Sequence, residues 1–140
     1  MTVVIDIFET GADVLVNPVN CVGVAGAGLA LEFRTRFPDS YLKYKEACAS
    51  KSLKIGRTFL DFDPPILYFP TKSHWKHKST LSGIRSGLNS MVRILRSTGF
   101  TTVAVPKLGC GLGGLDWKDV RPMIVNAFTE LPDMELILCE

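Results

Sequence analysis

The segment Pro106–Trp117, PKLGCGLGGLDW, constrains this chain more than any other. It carries glycine at 109, 111, 113 and 114, follows the apolar run Val103–Val105 and precedes a helix-like run, Asp116–Phe128. Glycine reaches backbone angles closed to other residues and lets a ligand approach the main chain. A strand, a glycine-rich loop and a helix start in series aim backbone N–H groups outward, which suits a phosphate. A second such loop, Gly23–Gly28, follows the strand-like run Val14–Val16. Tight turns alone also use glycine. Two loops in the same relation to a strand point instead to a ligand with more than one phosphate, held between them.

The periodicity around these loops sets the architecture. Strand-like runs fall at Val3–Ile7, Asp13–Asn17, Thr58–Phe62, Ile66–Phe69, Thr102–Val105 and Glu135–Cys139. They are short, apolar and partly β-branched, as buried strands are. Helix-like runs lie between them. Gly28–Arg36 stops before Pro38, and Ser40–Ala49 follows Asp39, a good N-cap. Thr80–Ser97 places Leu81, Ile84, Leu88, Val92 and Leu95 at helical spacing before Gly99. Asp116–Phe128 repeats that spacing and requires Pro122 in its first turn. Alternating strands and helices predict an α/β domain with a mostly parallel sheet covered on both faces. A length of 140 residues fits one domain, 1–140. Ligands of such sheets bind at the carboxyl ends of the strands, where both glycine loops and Pro70–Lys78 fall.

Composition excludes several classes. Apolar residues make up 46% of the chain, too many for disorder. A formal net charge of +2 is not that of a dedicated duplex-DNA binder. No apolar run approaches the ~20 residues of a membrane span, and the opening TVVIDIF reads as a strand rather than a signal peptide. The cysteines, Cys21, Cys48, Cys110 and Cys139, are scattered without Cys-x-x-Cys spacing, so reduced thiols in a cytoplasm are expected. His74 and His77 have no cysteine or acidic neighbour in sequence, and no metal is expected.

Several residues carry candidate chemistry. Asp6 interrupts an apolar start and is either a surface aspartate or an acceptor for an exocyclic amino group such as adenine's. Asn17 and Asn20 flank a proline-containing turn, which is ordinary turn chemistry. Phe69–Ser79 gathers Lys72, Lys76, Lys78, His74, His77 and Trp75. A solvated basic loop is one reading. The other makes Lys72, a few residues past a strand end, a partly desolvated amine able to attack a sugar aldehyde. Cys110 as a nucleophile needs His74 or His77 beside it; otherwise it is a small space-filling residue under the loop.

Together these residues resemble the macrodomain family of ADP-ribose binders. The most specific stretches are Ala12–Leu31 and Pro106–Trp117. Asn-Cys-Val-Gly, Pro-Thr-Lys-x-His-Trp and Gly-Cys-Gly-Leu-x-x-Leu-x-Trp occur together here, as in the branch of DNA ADP-ribosylation antitoxins and the related terminal ADP-ribose glycohydrolase. The resemblance implies a three-layer α/β/α sandwich with a mixed, mostly parallel sheet and ADP-ribose in a cleft at the strand ends. Asp6 would meet the adenine amino group beside the Ile7 backbone. Gly23, Val24, Gly26, Gly28 and Leu29 would line the diphosphate and distal ribose, with Asn20 facing that ribose. Thr71 would stand next to Lys72, the catalytic lysine. Leu108, Gly109, Cys110, Gly111, Leu112, Gly113, Gly114 and Leu115 would wrap the diphosphate from the other side.

The implied activity is removal of ADP-ribose from a modified macromolecule, a thymidine of single-stranded DNA ahead of a glutamate of a protein. Trp75, Lys76 and Lys78 would meet the strand. No cofactor, metal or membrane is implied, and the chain would act as a monomer. A phosphatase for ADP-ribose phosphorylated on its distal ribose, and a reader without turnover, are the rival readings. Two departures stand out: Ile5 replaces the glycine many members carry before the aspartate, and Gly113 replaces an aspartate that helps the glycohydrolase release the lysine-bound sugar.

Overall fold

The strands of the chain pair in the order β1-β6-β5-β2-β4-β3 in a computed structural model that describes residues 1–140. These are β1 (Thr2–Val4), β2 (Val14–Asn20), β3 (Phe59–Phe62), β4 (Pro65–Lys72), β5 (Thr102–Pro106) and β6 (Glu135–Cys139). All neighbours are parallel except β3 and β4, which form an antiparallel hairpin at one edge. The helices are α1 (Gly28–Arg36), α2 (Pro38–Ala49), α3 (Leu81–Arg96) and α4 (Trp117–Ala127).

The strand period of two explains the layers. On β5, Val103 and Val105 pack with α3 and α4, among Ile84, Leu88, Leu95 and Ile124. Ala104, between them, faces the opposite layer with Phe33 of α1 and Tyr44 and Cys48 of α2. Leu136, Ile137 and Leu138 of β6 divide the same way. The result is the expected three-layer sandwich. No helix is long and apolar enough to cross a membrane.

Several element limits depart from expectation, each for a local reason. The first strand ends at Val4, because Asp6 turns the chain: its Oδ1 accepts the Phe8 N–H at 2.9 Å and caps a 3-10 turn over Ile7–Glu9. α2 begins at Pro38, so Asp39 is inside its first turn rather than the cap. Proline suits a first helical position because it lacks only an N–H that would be unpaired there. Pro122 sits in the second turn of α4, not the first, and removes a ladder bond there. β4 continues through Pro70 to Lys72, three residues past the expected end at Phe69. The register against β2 shifts between Val19 and Asn20, where Val19 pairs with Pro70 and Asn20 with Lys72. A proline without an N–H stands where the ladder slips.

One opening in the sheet positions everything that follows. β2 and β5 pair only at Val14–Val103 and Leu15–Ala104. Beyond that, β2 stays with β4 while β5 stays with β6 to Pro106–Cys139. The chain leaves β2 toward α1 on one face and leaves β5 toward α4 on the other. A crevice therefore opens at the carboxyl ends of these strands, where ligands of such sheets bind.

The α3–sheet contact is tight enough to test. A Cβ at Gly87 would stand 2.6 Å from Cε1 of the fully buried Phe69. Gly87→Ala is expected to destabilise the domain: overpacking costs about 1–3 kcal/mol, offset in part by the ~1 kcal/mol helix preference of alanine. Urea unfolding measures the difference, and a gain in stability would contradict this packing.

Candidate functional site

The crevice is a cleft of about 990 Å³. One wall is Pro18–Asn20, the loop Val24–Ala27 and the start of α1; the other is Lys107, Gly109–Gly113 and Leu115–Trp117. Thr71, Lys72 and Trp75 border it on one side, and Cys139 lies at the carboxyl end of β6.

The first wall is held by one buried amide. Asn20, at 6% exposure, ends β2. Its Oδ1 accepts from the N–H of Val22 (3.1 Å) and of Val24 (3.4 Å), while its Nδ2 donates to the Val24 carbonyl at 2.8 Å. The Tyr44 hydroxyl lies 2.9 Å from the same Oδ1. Asn20 thus shapes the loop; a sugar hydroxyl would meet its remaining Nδ2 hydrogen, not its oxygen. Tyr44 stacks on Tyr68 at 5.1 Å, whose hydroxyl is 2.7 Å from Ser40 Oγ. Ser40 donates to Asp61, which also meets Lys43 at 3.1 Å. Burial opposes ionisation of Asp61, but the Asp63 N–H, Ser40 and Lys43 hold its carboxyl below the ordinary value. Gly23 does not border the cleft. It turns away with φ 79°, and its carbonyl accepts the Tyr41 hydroxyl at 2.9 Å.

The start of α1 is uncapped. Ala27, its N-cap, offers no side-chain bond, and the N–H groups of Gly28, Leu29 and Ala30 donate to no protein acceptor. All three residues line the cleft. A helix N-terminus in this state carries partial positive charge and free donors.

The second wall supplies matching donors. Gly109 (φ 73°) and Gly114 (φ 81°) take left-handed turns that Leu115 N–H closes onto Gly109 O at 2.9 Å. The N–H groups of Gly111, Leu112 and Gly113 have no protein acceptor. At Gly111 a side chain would meet open space. At Gly113 a Cβ would stand 2.5 Å from Gly109 O and collide with Ser79 Oγ. A side chain of any kind, an aspartate included, therefore has no room at Gly113. Ser79 takes that space, donating its N–H to Gly113 O at 3.0 Å.

Lys72 is half-exposed and ends β4 itself, closer to the sheet than expected. It makes no ion pair. Trp75 is 49% exposed on the rim with Lys76 Nζ 4.9 Å from its ring. Lys76 and Lys78 do not border the cleft; Lys78 instead lies along Gly114. Neither histidine reaches Cys110. His74 Nδ1 accepts the Lys76 N–H, His77 Nδ1 is 2.9 Å from Ser73 Oγ, and the Cys110 thiol bonds to Leu108 O at 3.4 Å. Burial raises the Cys110 pKa, so the geometry supports the space-filling reading.

The remaining expected residues, Asp6 among them, lie outside the cleft lining. Leu108 is fully buried, and Ile7 and Gly114 lie outside the lining. Asp6 is exposed just past β1; its carboxylate joins burial in pushing the thiol of the lining residue Cys139 up to about 11. Pro18, Val19, Ala30, Lys107, Trp117 and Cys139 also line the cleft, beyond the residues expected. The strand-end rule that flagged the glycine loops would also have flagged Cys139 and Lys107, which end or follow β6 and β5. Asp116 caps α4 through a bond from the Lys118 N–H at 3.1 Å and also lines the cleft.

A three-layer α/β/α domain with this split sheet and two donor-lined glycine loops defines a class: a macrodomain. The chain belongs to that family, whose Macro domain pattern matches residues 16–124. It is 42% identical over 139 residues to a DNA ADP-ribosyl glycohydrolase of Mycobacterium tuberculosis, covering 95% of this chain and 40% of that protein. The chain thus spans about two-fifths of the length of that curated relative. The solved macrodomain of Mycobacterium tuberculosis DarG superposes with a TM-score of 0.93 at 39% identity, covering 99% of this chain and 97% of that one. Thermosipho africanus DarTG in complex with ADP-ribose superposes with a TM-score of 0.88 at 38% identity, covering 96% of this chain and 40% of that one.

Two glycines separate loop shape from ligand contact. Gly111→Ala is expected to leave affinity for ADP-ribose within a factor of about two to three, since its side chain meets open space. Gly113→Ala should lower it about tenfold or more, because backbone overpacking of ~1–3 kcal/mol must be relieved by moving the donors. Calorimetric titration reads both; equal affinities would remove the assignment of this loop.

Proposed function

We propose that this macrodomain binds ADP-ribose in the cleft and releases it from ADP-ribosylated thymidine in DNA, through Lys72. One observation carries the reading. Free N–H groups from α1 and from Gly111–Gly113 line the same cleft as the strand-end amine of Lys72. Two facing sets of donors suit a diphosphate, and an amine beside them suits the sugar it carries. The similar Mycobacterium tuberculosis protein is a DNA ADP-ribosyl glycohydrolase, which supports the macromolecular substrate.

In this reading the Lys72 amine forms a bond to the anomeric carbon of the distal ribose as the bond to the base breaks. The displaced base takes the proton the amine loses. Water then replaces the lysine on that carbon, supplying hydroxyl to the sugar and hydrogen to the amine. Asp116 is the carboxylate lining the cleft and is our candidate to orient that water. Asp6 receives the adenine amino group on the oxygen not used by Phe8. The four free thiols suit the cytoplasm, where we place the protein as a monomer.

Lys72→Ala is expected to lower release from ADP-ribosylated DNA by a factor of order 10²–10⁴, as for loss of a group acting at the reacting bond. Affinity for ADP-ribose should survive, because the diphosphate donors lie elsewhere. Product release read by mass on modified DNA, modified protein and the phosphorylated sugar decides among the readings. Undiminished turnover of the phosphorylated sugar in the variant would favour a phosphatase, and binding without turnover on any substrate a reader.

Asp6→Ala should weaken ADP-ribose binding by about 1.5–3 kcal/mol, the range for a charge-assisted hydrogen bond. The native protein should bind the inosine analogue of the ligand by a similar amount less well. Equal affinity for both ligands would make Asp6 a cap and nothing more.

A further inference from the structure

We propose that Arg34 and Lys45, gathered on Tyr41, form a second phosphate-contact site for the nucleic-acid strand that carries the modified base. The inference rests on the reading that the substrate is ADP-ribosylated DNA. Tyr41 lies in the first turn of α2, half-buried, with its hydroxyl bonded to the Gly23 carbonyl at 2.9 Å. Its ring holds Arg34 Cζ at 4.8 Å and Lys45 Nζ at 5.8 Å from the centroid. Lys45 also lies against the first loop, its Cγ 3.5 Å from where a Cβ of Gly23 would stand.

Two exposed like charges near one ring repel weakly through water, and a phosphate between them would turn that repulsion into attraction. None is supplied by the protein: neither Arg34 nor Lys45 forms an ion pair, although Glu32, Asp39 and Glu46 lie on the same two helices. The site is also placed to serve the cleft. The Cys21 N–H donates to the Ser73 carbonyl at 3.3 Å, tying the first loop to the segment that carries Trp75 and Lys76. Loop and segment flank the strand end at Lys72. An aromatic–cation cluster belongs to each: Trp75 with Lys76 on the segment, and Tyr41 with Arg34 and Lys45 against the loop at Gly23. The same loop exposes the apolar Val22 and Val24, at 45% and 44%. A base joined to the ribose beside Lys72 leaves its strand running to both sides, with phosphates to meet cations and bases to meet apolar surface.

The test compares release of ADP-ribose from ADP-ribosylated thymidine and from a short single-stranded oligonucleotide carrying it, across a range of salt. Native protein should favour the oligonucleotide, with kcat/KM falling as salt rises. The double substitution Arg34→Gln, Lys45→Gln should reduce the log–log salt slope on the oligonucleotide by about 1.4, two phosphates at ~0.7 each. Release from the mononucleoside should not change. Arg93→Gln, in the last turn of α3, should leave both unchanged.

An unaltered slope in the double variant overturns the site. So does an equal loss on both substrates, which would make the two cations supports of the loop. Equal native rates on both substrates would keep the release activity and overturn the strand surface. Native protein that binds ADP-ribose yet releases it from neither substrate refutes the proposed function itself, and this site with it.

Discussion

The cleft depends on the Asn20 side chain. A buried amide must find partners for both its ends, or the domain loses about 1–3 kcal/mol per orphaned group. Asn20 finds them in the loop it precedes: two N–H groups and one carbonyl of Val22 and Val24, plus the Tyr44 hydroxyl. That arrangement folds the first glycine loop away from the sheet and leads the chain to the start of α1. Because the loop is satisfied by Asn20, the N–H groups beyond it stay free for a ligand. Tyr44, Tyr68, Ser40 and Asp61 extend the support across α2 to the sheet edge.

The second loop is built on a different constraint, the absence of side chains. Gly109 and Gly113 lie so close to Ser79 that a Cβ at either is crowded. The segment after β4, which follows Lys72 and carries Trp75, is thereby clamped to the loop that presents Gly111–Gly113. One backbone contact, the Ser79 N–H on Gly113 O, ties that segment to the loop. This packing also accounts for the glycine at 113.

Much of this was legible in advance. The alternation of short apolar runs with helical spacing gave the layers and the parallel sheet, because both periods follow from backbone geometry alone. The glycine loops marked the binding end of the sheet. Element limits were less legible where a side chain competed with the strand or helix pattern: Asp6 capping a turn inside an apolar run, Pro38 starting a helix ahead of Asp39, Pro70 carried within a strand. The position of Asn20 before a glycine loop says nothing of its partners. Its bonds to Val22, Val24 and Tyr44 depend on how a loop and α2 meet, which no local pattern reports.

The sequence by itself determined the fold class, the two glycine loops and an amine shortly after a strand, because each follows from residue type and short-range spacing. Only the tertiary structure decided which donors are free, which glycines have no room for a side chain, and which lysines border the cleft. Lys72 and Lys107 line it while Lys76 and Lys78 do not. It also decided that Arg34 and Lys45 share one tyrosine ring. Those facts are set by distances between segments far apart in the chain, and such distances exist only once the two helical layers have closed on the sheet.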